Sequence, residues 1–131
     1  LKKMALPICF AILLMGCNDE KTLEVNNLGG EEAEEVKAIM ENEESIYSGR
    51  AIFVEDQLMV AVQAKPWLDY KKTKIEKNLK KKLKESFPEY DITVSSDYKL
   101  YWEAQKLLDE EDSEKVKEKV EKLKKLKKEE T

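Results

Sequence analysis

The stretch IYSGRAIFVEDQLMVAVQAK, Ile46 to Lys65, decides the fold. Ile46 to Val54 and Leu58 to Lys65 are rich in the β-branched and large apolar residues that suit a pleated, half-buried surface, and Glu55-Asp56-Gln57 separates them. In the second run, Leu58, Val60, Val62 and Ala64 alternate with Met59, Ala61, Gln63 and Lys65, which gives one apolar and one mixed face. So short a link between two strand-like runs predicts an antiparallel hairpin.

Downstream, Pro66 ends the second strand because it has no backbone N–H for a ladder. From Leu68 to Phe87, the residues Ile75, Leu79, Leu83 and Phe87 recur every four positions, a narrow apolar stripe on a charged helix that Pro88 closes. Tyr90 to Ser96 alternates Ile92 and Val94 with Thr93 and Ser95, a third strand. Leu100, Ala104, Leu107 and Leu108 then mark a helix from Asp97 to Leu108, with Ser96 or Asp97 as its cap. Upstream, Ala33, Val36, Ile39 and Met40 fall at helical spacing between Glu31 and Glu44, and Glu31, Glu32, Glu34 and Glu35 suit the positive end of that helix. The expected fold is α+β: a small α-β-β-α-β-α domain over residues 31–108, a three-stranded sheet with its helices packed on one face and a right-handed crossover between the second and third strands. Strand order is left open, and a third strand beside the first gives a split β-α-β arrangement.

The ends differ in character. Lys2 and Lys3 precede an apolar run from Met4 to Met15. A helix needs about 20 apolar residues to span a bilayer, and this run is shorter and broken by Pro7, so residues 1–16 read as a removable secretory signal. Residues 17–30, from Cys17 through the polar stretch to Gly30, read as a flexible tether reaching at most about 45 Å. Residues 109–131 hold nine acids and eight lysines, with Val116, Val120, Leu123 and Leu126 near helical spacing; a solvated, fraying helix is the expectation.

Composition excludes several chemistries. There is no histidine, and of the two cysteines Cys9 lies in the signal, so no Cys/His metal site and no Cys-His or Ser-His-Asp catalyst can be assembled in the mature chain. The acid-rich segments lack the Gly-punctuated loop of an EF-hand. No nucleophile or paired carboxylate is singled out, so no catalytic residue, metal or cofactor is assigned. Charge is segregated. The segment Lys71 to Lys84 carries Lys71, Lys72, Lys74, Lys77, Lys80, Lys81, Lys82 and Lys84 against Glu76 alone, whereas the chain without Lys2 and Lys3 has 22 basic and 28 acidic residues, a net of −6. Such a helix either faces anionic headgroups or is a solvated face balanced by acids elsewhere. The overall acidity argues against nucleic acid. Trp67, Tyr70, Tyr98, Tyr101 and Trp102 gather near element ends, where they either form a ligand surface or complete the core rim.

Leu14-Met15-Gly16-Cys17 resembles the lipobox of bacterial lipoproteins. AIFVEDQLMVAVQAK, the Lys-rich helix closing on Phe87-Pro88, and FPEYDITVSSDYKLYWEAQKL with its Val94-Ser95-Ser96-Asp97 junction resemble the YhcN/YlaJ family of sporulation lipoproteins of endospore-forming bacteria. The resemblance spans residues 31–108 together with the lipobox, and its features are ones of packing and turn, shared in part with BON domains and ring-building motifs of secretion systems. It implies a diacylglyceryl lipid on Cys17, the outer face of the cytoplasmic membrane in a developing or dormant spore, an unidentified envelope or spore protein as partner, and a role in germination or outgrowth without catalysis. A self-assembling adaptor at the cell envelope is the alternative.

Overall fold

A computed structural model of the chain describes residues 21–130. The mixed α+β class is the one expected, but the sheet has four strands, β1 (Thr22–Val25), β2 (Ile46–Val54), β3 (Gln57–Ala64) and β4 (Asp91–Ser95), in the order β1-β2-β3-β4. The α-helices among the described residues are α1 (Glu32–Asn42), α2 (Lys72–Ser86), α3 (Tyr98–Lys106) and α4 (Ser113–Glu130), with 3-10 turns at Asn27–Gly29 and Pro66–Lys71. The central hairpin is antiparallel, in register from Phe53↔Leu58 to Gly49↔Val62. Its link is the two residues Glu55 and Asp56, one fewer than the sequence suggested, and Glu55 takes a φ of 52°, the left-handed backbone that so tight a reversal requires. β4 pairs with β3 in parallel, on the far side of the hairpin from β1, so the split arrangement does not form.

The helices cover both faces of the sheet, not one. Ala51, Phe53, Leu58, Val60, Val62, Ile92 and Val94 point to a first face and pack with Val36 and Met40 of α1 and with Ile75, Leu79 and Leu83 of α2. Ile52, Val54, Met59 and Ala61 point to the second and pack with Leu100, Tyr101 and Ala104 of α3 and Val116, Val120 and Leu123 of α4. The cause is visible in the strands: β2 and β3 carry large apolar groups at odd and even positions alike, so a single layer of helices leaves one apolar face in water. The charged tail supplies the missing cover. Val116, Val120 and Leu123 are almost completely buried, each contributing about 1.5–3 kcal/mol, so the tail is a packed helix and belongs to the domain.

Residues 17–30 are likewise not all tether. Thr22–Val25 pairs in parallel with Ser48–Ala51, and Asn26 extends the ladder with its side chain: its amide donates to the Phe53 carbonyl (2.9 Å) while its Oδ1 accepts from the Phe53 N–H (2.8 Å). Gly29 then passes so close beneath Phe53 that a Cβ there stands 2.7 Å from the ring. At the start of β1 the Lys21 ammonium donates to the carbonyls of Met40 (3.2 Å), Glu41 (2.7 Å) and Glu43 at the end of α1, where the Met40 carbonyl also accepts from the Glu43 N–H (3.2 Å). These bonds fix the point at which the chain comes into the fold.

Candidate functional site

The residues proposed from sequence fall on three surfaces. Cys17 lies outside the described residues. The lysine-rich segment begins in the Pro66–Lys71 turn and continues as α2, whose Ile75, Leu79 and Leu83 are buried and whose lysines are all exposed. Lys82 pairs with Glu43 (3.5 Å), Lys84 donates to the Tyr90 carbonyl (3.2 Å), and Lys71 lies 5.6 Å from the centre of the Tyr70 ring. Lys74, Lys77 and Lys81 lie on the side opposite the apolar stripe, as the 100° step per residue requires, and meet no carboxylate within 4.0 Å among the described residues. The helix thus has an outer side of three lysines without an ion pair among the described residues, while Lys82 is paired with Glu43 and Lys80 and Lys84 act on the Asp91 carboxyl.

Glu76, the one acid between Lys71 and Lys84, points elsewhere. One carboxylate oxygen accepts from the Ser96 N–H (2.6 Å) and hydroxyl (2.5 Å) and the other from Lys127 (2.5 Å), which joins α2, the β4–α3 junction and α4. Beside it, along the open edge of β4, runs a cavity of about 360 Å³ lined by Lys77, Lys80, Lys124, Lys127 and Lys128 as well as Glu76 and Asp91. The hydrogen bond from Lys124 holds the Asp91 carboxyl below its ordinary range, with Lys84 and Lys80 adding to the effect against its partial burial. Lysines along an edge strand discourage pairing with a further strand and leave the groove cationic.

The third surface is the end of the sheet at which the chain comes in. β1 and β2 begin there and β3 ends there, as Thr22↔Ser48 and Ile46↔Ala64 show. A bulge between Ile46 and Ser48 shifts the register by one, which returns Ile46 to the first-face core and leaves Tyr47 exposed, its hydroxyl bonded to Gln63. An open groove of about 560 Å³ lies among Lys21, Thr22, Ile46, Tyr47, Lys65 and Trp67. Burial lowers the Lys21 ammonium from its ordinary range, and the nearby Glu41 opposes the shift.

Of the five aromatics singled out from sequence, only Tyr101 is in the core, with its hydroxyl on Ser48 and the Arg50 guanidinium 5.1 Å from its ring. Trp67, Tyr70, Tyr98 and Trp102 are exposed, and Tyr98 and Trp102 meet edge to face with their centroids 5.7 Å apart. The rim joining Lys21, Tyr47, Lys65 and Trp67 escaped sequence reasoning because its parts come from three separate segments. The one local signal was Lys65-Pro66-Trp67 with Tyr70-Lys71 immediately after a strand, two aromatics each beside a lysine.

Among the described residues no group of three or more acidic, cysteine or histidine side chains is placed to hold a metal ion, and no helix is long and apolar enough to cross a membrane. Comparison of the chain with protein-family models, with curated proteins and with solved structures finds no match.

Proposed function

We propose that the chain is a non-enzymatic lipoprotein of the spore envelope, held by a diacylglyceryl group on Cys17 at the outer face of the cytoplasmic membrane, which aids germination or outgrowth by offering a basic surface to an acidic partner. The lipobox and the YhcN/YlaJ resemblance supply the anchor and the setting. The observation that carries the binding role is the outward side of α2, where Lys74, Lys77 and Lys81 stand exposed without carboxylate partners among the described residues, while the chain as a whole is acidic. Concentrating like charge on one helix face is unfavourable in isolation, and an anionic partner relieves it.

Two measurements on dormant spores test this reading. The mass of the intact protein reports the anchor: the expected species begins at Cys17 and carries lipid, and a chain without lipid removes the anchor from the proposal. Crosslinking of wild-type and Cys17→Ala protein after fractionation reports the partner: the expected neighbours are an envelope protein with an acidic surface or membrane lipid, both lost in the variant.

A self-assembling adaptor is the second reading, supported by β1 as a sheet edge. It requires sedimentation to rise with concentration, and a monomer throughout rules it out.

A further inference from the structure

The geometry points to the rim around Lys21, Trp67 and Tyr70 as the surface that lies against anionic phospholipid, so that the domain stands end-on to the bilayer. This rests on the anchor at Cys17 proposed above and adds the orientation that such an anchor imposes.

Chain length gives the first argument. Cys17 precedes Lys21 by four residues, a span of at most about 14 Å, and Lys21 is fastened to the last carbonyls of α1. A lipid on Cys17 therefore brings this end of the sheet to the membrane and keeps the opposite end, where Glu55, Pro88 and Glu89 lie, away from it. The composition of the rim gives the second. Trp67 is 69% exposed, Tyr70 78% and Tyr47 44%, which makes them three of the six large hydrophobic side chains left in water among the described residues. Lys65 lies 5.9 Å from the Trp67 ring and Lys71 5.6 Å from that of Tyr70. Amphipathic rings with adjacent ammonium groups suit the headgroup layer, where the ring sits among glycerol and upper acyl chain and the charge meets phosphate. Between Lys65 and Lys72 three lysines stand against Asp69 alone, whereas Glu41, Glu43 and Glu44 lie near Lys21, so it is the Lys65–Lys72 side of the rim that favours an anionic surface.

An end-on stance also divides the lysines of α2. The helix starts at the rim and runs along the sheet, so Lys84 lies about 18 Å beyond Lys72. That is more than two screening lengths of about 8 Å, so Lys84 scarcely senses the bilayer, whereas Lys74 and Lys77 lie within about one such length of Lys72.

The test uses the mature chain from Cys17 onward, which keeps every described residue, coupled through its one thiol to a maleimide lipid in vesicles of brominated phosphatidylglycerol. Trp102→Phe leaves Trp67 as the sole indole. With Trp67→Phe added, Lys81→Trp places the indole on the outer side of α2 and Glu89→Trp places it at the far end; all these sites are exposed, so each chain keeps its core. Expected are a blue shift and severalfold quenching of Trp67 and neither for the other two positions, with weaker quenching of Trp67 in brominated phosphatidylcholine. No quenching of Trp67, or quenching at position 81 as strong as at 67, overturns the end-on rim, and equal quenching in the two lipids overturns its preference for anionic headgroups. Coupling imposes the anchor whatever the cell does. Failure here therefore leaves the lipoprotein reading intact, and only the mass of the cell-derived protein bears on that.

Discussion

Glu76 shows how far one residue's role can lie from its local context. In sequence it is the only acid among eight lysines; in the fold it accepts from Ser96, 20 residues away, and Lys127, 51 residues away. Removing a charged acceptor from a partly buried N–H leaves that donor unsatisfied, so Glu76→Ala should lower stability by about 2 kcal/mol, whereas exposed Glu85→Ala should stay within about 0.5 kcal/mol. Urea unfolding of the two variants makes the comparison, and equal midpoints would show that the three-element junction contributes nothing. Where a residue acts on its neighbours the sequence comes close: it offered Ser96 or Asp97 as the cap of α3, and Asp97 takes that role by accepting from the Leu100 N–H (3.0 Å). Where it acts at a distance, as Glu76 and Asn26 do, only the folded chain reveals the partner.

Elements were legible in proportion to their periodicity. The four-residue repeat of α2 and the alternation in β3 carry their own signal, while β1 has only Leu23 and Val25 to bury and owes its conformation to pairing with β2. In α4 the apolar stripe was readable, but its destination was hidden among the 17 charged residues of the last 23. Those charges also fasten it: Lys119 to Glu103 (2.9 Å), Lys117 to Glu55 (3.1 Å), Lys124 to Asp91 and Lys127 to Glu76. Hydrogen bonds from Lys119 and Lys124 hold Glu103 and Asp91 below their ordinary values of 4.5 and 3.8. Groups whose folded pKa is depressed favour the folded state above those ordinary values, and the contribution is lost as pH falls through the folded ones. The amides of α4 should therefore keep constant protection from pH 8 to about pH 5 and lose it ahead of α2 as the pH falls toward 3. Hydrogen exchange, corrected for intrinsic rates, reads this directly; loss of α2 and α4 together would assign the acid transition to the whole domain.

At the scale of the molecule, the sheet is a layer between two unlike coats, α1 and α2 on one face and α3 and α4 on the other. A sequence reading with three helices and a solvated tail had too few elements to cover both faces, and so it assigned one. The apolar second face was nonetheless written in Ile52, Val54, Met59 and Ala61. A chain ending at Glu111 lacks Val116, Val120 and Leu123 and exposes part of that face, so it should lose solubility and scatter light at concentrations at which the full chain stays clear. Leu123→Ala, a milder version, should keep solubility while lowering stability by about 2–5 kcal/mol. A truncated chain as soluble and as stable as the parent would return the tail to the solvent.

Were the chain held at Cys17, as proposed, the parallel pairing of β1 would have a mechanical consequence. Tension arriving through the residues before Lys21 pulls along the axis of β1, so the ladder joining Thr22–Val25 to Ser48–Ala51 is loaded in shear, its bonds sharing the force instead of opening one after another. The Asn26 side chain adds a rung at the far end of that ladder, and the Lys21 contacts with the end of α1 take up the first strain. Four residues of strand would then act as a grip against force applied at that end.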